Sequence, residues 1–279
     1  MGVIANSLPK SGTYVLVRLL ELSGMSRSES ALTGSLIRST QRNPIKRFFV
    51  KRRKALGNEA GLQIDLEDLS NKVKTSWLKK YIARIPDNSF IPAHIPYSCE
   101  LSNFLYKNGF KVIYIIRDPR DVLVSYINHQ RRDASYPFHD YYINCSKNEA
   151  MLSVLVTMFS KRGQKRAGLR ERITNSMGWI DDKNVCSIKF EELIGSAGGG
   201  SNELQRQSIK KILDHIDLNG DEQMINKISE NVFYPKAKTF HKGQIGQWRR
   251  VCPPEIQETL NLFCGDLITK LGYEKYLER

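Results

Sequence analysis

Residues 3–8 (VIANSL) are short and apolar. They pass directly into Pro9-Lys10-Ser11-Gly12-Thr13 and then into Val15, Leu16, Leu19, Leu20 and Leu22 at helical spacing. A short strand, a glycine-containing turn and an amphipathic helix closed by Gly24 make one β-α unit. The helix carries the chain back, so the next strand pairs in parallel. The pattern recurs with SFIPAH (89–94) before a helix at 98–107, and with KVIYII (111–116) before a helix from Pro119 to Arg132. VCSIKF (185–190) is a further strand, and the last helix runs from about Pro254 to Leu271. Between them, an aromatic-rich loop at 135–142 (SYPFHDYY) leads into a long helical stretch through Met151, Leu155 and Phe159. Strands this apolar are covered on both faces, which implies an α/β fold with a mainly parallel central sheet flanked by helices. GSAGGGS (195–201) reads as a loop inside that fold. Residues 1–279 are therefore expected to form one domain, with a basic variable insertion at about 26–75.

Composition narrows the setting. Hydrophobic residues make up 41% and charged residues 26% of the 279, enough to bury a core without disulfides or metals. No apolar run approaches the roughly 20 residues that span a bilayer. The first strand follows Met1 so closely that no signal peptide is expected, and the location expected is cytoplasmic, with no membrane partner. Cys99, Cys145, Cys186, Cys252 and Cys264 are scattered, as reduced thiols would be, and no ligand cluster suggests a metal. A net charge of +14 implies attraction to anions, whether nucleic acid, a membrane surface or a charged nucleotide. The basic stretch from Arg38 to Lys54, with Phe48, Phe49 and Val50 inside it, reads as a solvated segment with a small apolar anchor; a lid over an anionic ligand is the alternative.

Three segments carry chemistry. In PKSGT, the N–H groups at a helix N-terminus attract phosphate or sulfate, Gly12 allows close approach, Lys10 adds a full charge, and Ser11 and Thr13 add hydroxyls. The lysine precedes the glycine, so this is not a Walker A loop. In RDPRDVLVS (117–125), Asp118 suits an N-cap and Pro119 the first helical position. Arg117 then falls at the carboxyl end of a parallel strand, where open α/β sheets bind ligands, and Ser125 falls about two turns into the helix. An arginine fork with a hydroxyl can hold a phosphate from two sides. In FHKGQIGQW (240–248), two glycines, two basic side chains and a tryptophan share an irregular stretch, as in a loop closing over an anion.

Together these segments resemble the three nucleotide motifs of sulfotransferases that use 3′-phosphoadenosine 5′-phosphosulfate (PAPS), in the same order and over nearly the whole chain. PKSGT resembles their 5′-phosphosulfate loop, usually PKSGTTW. RDPRDVLVSY resembles their 3′-phosphate motif, and HKGQIGQW their late RKGxxGDW motif. The resemblance implies a single-domain fold related to P-loop nucleotide kinases, PAPS as co-substrate, the bisphosphate PAP as product, and no metal. Lys10 would contact the bridging oxygen and 5′-phosphate, with Ser11, Gly12 and Thr13 as surrounding donors. Arg117 and Ser125 would hold the 3′-phosphate, joined by His241, Lys242 and Gly243. Tyr14 and Phe190 would lie near the nucleotide. Pro92-Ala93-His94-Ile95-Pro96 is similar to the family's KxHxP segment and implies His94 as catalytic base, with Lys10 as the second catalytic group.

This sequence departs from the pattern in four places. Pro92 stands where the family has a lysine, Val15 where it has a tryptophan near adenine, Phe190 where it has a tyrosine, and His241 where it has an arginine. The expected acceptor is a small hydroxyl- or amine-bearing molecule, with natural-product tailoring as the setting this suggests. Tyr136, Phe138, His139 and Tyr141 are candidates for its pocket wall, whereas Trp179 and Trp248 are assigned to the core. The family's dimerisation motif is not recognisable, which leaves monomer and homodimer both open. Two rival readings are a nucleotide kinase, which would need a Walker A lysine and a Mg²⁺-holding acid, and a basic nucleic-acid-binding protein. The second accounts for the charge but not for three anion-binding turns at strand ends, so nucleic acid is not the expected partner.

Overall fold

The computed structural model describes residues 1–29, 31–33, 61–69, 71–161, 163–233 and 243–274. Among these, the strands are β1 (Gly2–Ser7), β2 (Ser26–Arg27), β3 (Leu32–Thr33), β4 (Gly61–Gln63), β5 (Lys72–Lys74), β6 (Ser89–His94), β7 (Phe110–Ile116), β8 (Met158–Phe159), β9 (Lys165–Arg166) and β10 (Val185–Lys189). The helices are α1 (Thr13–Leu22), α2 (Thr75–Ile82), α3 (Cys99–Lys107), α4 (Pro119–Gln130), α5 (His139–Asn144), α6 (Lys147–Leu155), α7 (Leu169–Ser176), α8 (Phe190–Leu193), α9 (Asn202–His215), α10 (Glu222–Asn231), α11 (Trp248–Val251) and α12 (Pro254–Lys270).

The main sheet runs β10-β7-β1-β6-β2, with β3 also paired to β6, and every pairing in it is parallel. Every residue of the central strand β1 is buried. Side chains alternate along it: Ile4 joins Ile91, Val112 and Tyr114 in the core on one face, while Val3 and Ala5 join Phe90, Ile113 and Ile115 on the other. Helices α1, α9 and α10 cover the second face, and α3, α4, α6, α7 and α12 the first. This is the α/β architecture read from the sequence.

Register then decides what the sheet presents. Ser7 is opposite Ile115 and Asn6 is opposite Ala93, so β1, β6 and β7 end together at one edge. Asn6 fixes the chain leaving β6, because its amide donates to Ile95 O (3.3 Å) and its carbonyl accepts from Ile95 N (3.0 Å). Trp179, fully buried, donates its indole N–H to the same Ile95 carbonyl, and Trp248 is buried as well.

Three expectations are corrected. Residues 135–142 are not all loop, because α5 begins at His139. The helix expected to reach Phe159 ends at Leu155, and Met158–Phe159 instead pairs antiparallel with β9. Buried Arg166 stops it, since its guanidinium binds the Ser153 and Val156 carbonyls that a continuing helix would use. Helix α4 ends at Gln130, short of Arg132. In the basic stretch expected as an insertion, Ser26–Arg27 and Leu32–Thr33 extend the sheet along β6, and β4 pairs with β5 in a ribbon. Residues 38–54 lie outside the described residues.

Candidate active site

The turn after β1 is shaped by its backbone. Lys10 adopts φ 73° and Gly12 φ 103°, with Ser11 N–H bonded to Leu8 O (3.1 Å) between them. A non-glycine residue at positive φ is strained and marks a shape that the surroundings impose. Glycine is required at position 12 twice over, because a Cβ there would also overlap the Phe190 ring. Ser11 is fully buried and its hydroxyl has no hydrogen-bond partner. The turn therefore presents the first N–H groups of α1, donors that suit an anion, above an enclosed Ser11 hydroxyl. Burial, reinforced by the like charges of Arg117 and Arg132, lowers the Lys10 pKa to about 8. Lys10 remains a cation at neutral pH, in a setting that favours binding an anion.

The second cluster joins segments far apart in sequence. Arg117 leaves β7 nearly buried, with its guanidinium 4.3 Å over the Phe190 ring and its Nη2 donating to Gln244 O (3.0 Å), while its Nε has no partner. Asp121, one turn into α4, accepts from Gly246 N (2.7 Å) and Trp248 N (3.1 Å) and sits 3.8 Å from Arg117. Burial is the main reason its carboxyl titrates above the usual range. Gly243 lies in the same cavity as Arg117 and Ser125. His241 and Lys242 lie outside the described residues.

His94 ends β6 opposite Thr33 of β3. Its Nδ1 donates to the Ser7 carbonyl at 2.8 Å, which leaves Nε2 as the ring's acceptor nitrogen. Burial lowers its pKa, and the cations Lys10 and Arg172 add to that effect against the Ser7 hydrogen bond. The imidazole is thus neutral with a defined basic nitrogen. Ser7 also links the two segments, its hydroxyl lying 2.6 Å from Thr13 Oγ1 and 3.3 Å from His94 Nδ1.

These groups share one cavity of about 800 Å³. Lys10, Gly12, Thr13, Tyr14, Val15, Pro92, His94, Arg117, Ser125, Phe190 and Gly243 all line it, so these expected residues lie together with His94, whereas Ser11 is enclosed beneath the turn and does not line the cavity. Of the expected acceptor wall, only Tyr136 lines the cavity. Phe138 is buried in the core beneath the Arg166 guanidinium, His139 Nδ1 donates to Gln130 O (2.9 Å), and Tyr141 stands exposed, edge-on to Tyr142. The sequence reading missed Asp65, Glu67, Asp121, His129, Gln130 and Asp133, which also line the cavity. A signal existed for some of them: Asp121, Ser125 and His129 recur every four residues and form one stripe along α4.

The sulfotransferase domain family model matches residues 2–272. The chain belongs to the sulfotransferase family. Solved structures similar to this sulfotransferase include a mouse sulfotransferase, SULT7A1, complexed with PAP, at TM-score 0.60 and 19% identity over 96% of this chain and 84% of that one. Retinol dehydratase, in a complex with retinol and PAP, is similar at TM-score 0.59 and 18% identity over 96% of this chain and 81% of that one. The same enzyme with androsterone and PAP matches at TM-score 0.58 and 16% identity over 96% and 80% of the two chains. No curated protein matches the chain by sequence. The fold of this sulfotransferase is thus the mainly parallel α/β domain of those structures. Among the described residues, no helix is long and apolar enough to cross a membrane.

Proposed function

We propose that the protein transfers the sulfuryl group of PAPS to a hydroxyl or amine of a small acceptor and releases PAP. The observation that carries this reading is one cavity holding both a neutral, tautomer-fixed His94 and the cationic Lys10 loop at the ends of adjoining strands. The site suits the nucleotide. Arg117, whose Nε has no partner, lines the cavity together with Ser125, Gly243 and the Lys10–Thr13 turn, donors of the kind a bound phosphate engages. PAPS supplies the activated sulfuryl group.

The chain's own residues do the rest. His94 Nε2 takes the proton from the attacking group, and the Ser7 carbonyl holds the ring and stabilises the imidazolium that forms. Lys10 neutralises charge growing on the leaving phosphate side. Arg117, backed by Phe190 and Gln244 O, holds the 3′-phosphate. Lys242 and His241 are proposed to close on the same phosphate. Pro92 supplies no charge where the family has a lysine, and Lys10 is the cation proposed for that task. PAP bound among the mouse and retinol dehydratase neighbours is consistent with this assignment.

A thermal-shift titration tests the reading. PAP should raise the melting temperature, while ATP–Mg²⁺ and mixed DNA or RNA should not. Stabilisation by ATP–Mg²⁺ alone would favour a kinase, and salt-sensitive nucleic-acid binding without a PAP response would favour the third class.

A further inference from the structure

The apolar run of β1 is interrupted at its end by two polar residues, Asn6 and Ser7, which are 0% and 1% exposed. A buried amide or hydroxyl is costly unless it is hydrogen-bonded, so each has to be accounted for by its partners. Both are directed at the segment that carries His94. Asn6 holds the backbone of Ile95 through both its N–H and its carbonyl. Ser7 holds the imidazole itself: His94 Nδ1 lies 2.8 Å from the Ser7 carbonyl and 3.3 Å from the Ser7 hydroxyl. On its other side that hydroxyl lies 2.6 Å from Oγ1 of Thr13, the first residue of α1.

The direction of donation along this chain follows from the ring. Nδ1 carries the hydrogen, because the Ser7 carbonyl can only accept. That N–H is shared between the two oxygens of Ser7, so the Ser7 hydroxyl accepts from the ring and gives its own hydrogen to Thr13 Oγ1. Thr13 keeps its hydrogen to donate, and it is half-buried and lines the cavity with Lys10 and His94. The chain therefore runs one way. It starts at the ring, passes through the enclosed Ser7 hydroxyl, and ends on a hydroxyl of the Lys10 turn.

We propose that Ser7 is a positioning residue that couples the base to the leaving group, so that proton uptake at His94 strengthens the hydrogen bond from Thr13 to the departing phosphate. This inference rests on the sulfotransferase reading above. When Nε2 takes the acceptor's proton, the imidazolium becomes a stronger donor through Nδ1. Hydrogen bonds in a chain polarise one another, so the Ser7 and Thr13 hydroxyls become stronger donors in turn. No proton crosses the chain: each hydroxyl keeps its own hydrogen, and the acceptor's proton stays on Nε2. Charge develops on the base and on the phosphate in the same step, and Ser7 joins the two without touching nucleotide or acceptor, because it is enclosed.

The test uses the full chain, labelled PAPS and a panel of phenols, alcohols and amines, with release of inorganic sulfate to water as the readout where no acceptor is turned over. Ser7→Ala should lower kcat at least about ten-fold, as loss of a hydrogen bond to a charged group does, with the PAP thermal shift and the KM for PAPS unchanged within about two-fold. Ser7→Thr, which keeps the hydroxyl, should retain most of the activity. Losing the hydroxyl removes an acceptor that favours the charged ring. The acid limb of kcat/KM should therefore move to lower pH in Ser7→Ala, with Lys10 and Arg172, the cations that act on His94, unaltered. Ser7→Ala and Thr13→Val should be non-additive, the double variant losing no more kcat than the worse single one. If Ser7→Ala does not fold, Ser7→Cys fills the space with only a weak hydrogen-bonding group, and the same loss is expected. An unchanged kcat, an unmoved acid limb or multiplied losses in the double variant each overturn the proposal. A wild type that neither binds PAP nor releases sulfuryl from PAPS sinks the underlying reading instead, which separates the two failures.

Discussion

At the scale of single residues, His94 and Lys10 are set in opposite states by one environment. Both are desolvated, and desolvation favours the neutral form of each. In the proposed mechanism the neutral form of His94 is the working one, and its pKa below the ordinary 6.5 keeps more of it unprotonated in mildly acidic solution. Activity should therefore persist to lower pH than it would with an ordinary histidine base. For Lys10 the charged form is the working one. Apparent kcat/KM for PAPS, which reports the free enzyme, should fall as pH rises past about 8, and Lys10→Arg should remove that limb. Bound anion pushes the lysine back up, so kcat at saturation should hold to higher pH. His94→Ala should cost about 10²–10⁴-fold in kcat, the usual contribution of a general base, and leave the PAP-induced thermal shift intact.

Helix α4 organises the site at the scale of elements. Asp118 caps it, accepting from Arg120 N (2.9 Å), and Pro119 opens it, as its sequence implies. The same helix carries Asp121 and Ser125 at the nucleotide end and His129 and Gln130 toward the other side. Asp121 anchors this arrangement, since among the described residues it is the group that holds the Gly246 and Trp248 N–H groups. Asp121→Ala should destabilise the fold by about 1–3 kcal/mol for each N–H left unpaired, measured by urea denaturation, and should weaken PAP binding by releasing the late loop. Caps, turn glycines and strand runs were legible because they are local. The break after Leu155 was not, because what ends α6 is Arg166, eleven residues further along. Tyr136 and Phe138 looked equivalent in sequence, but only the packing of α5 separates a cavity wall from the core.

Across the whole molecule, the C-terminal segment is locked onto the nucleotide motif. Glu191 accepts from Asp118 N (3.1 Å) and from Tyr273 OH (2.8 Å), and Arg120 donates to Tyr273 O (2.9 Å) while resting 4.2 Å over Trp248. Burial, opposed by these hydrogen bonds and Arg117, raises the Glu191 pKa from 4.5 to about 7. The folded state therefore holds this proton more tightly than the unfolded one. Its contribution to stability is complete below about 4.5 and is lost as pH rises through about 7. Glu191→Gln removes that titration, so wild-type stability relative to the variant should decline by roughly 1–3 kcal/mol between those limits, read from denaturation midpoints across pH.

The sequence by itself determined the β-α units, their parallel sheet and the segments proposed to bind the anion. Each of these depends on residues within a few positions of one another: a Pro-Lys-Ser-Gly-Thr turn, an Asp-Pro cap, a β-branched run. Tertiary structure alone decided that β1, β6 and β7 end in register, that His94 binds the Ser7 carbonyl, and that Gly246 and Trp248 hang from Asp121. It also decided which polar groups face the cavity beside the nucleotide residues. Those contacts join positions up to 127 residues apart. Burial and charge, which set each pKa, exist only once the chain is packed.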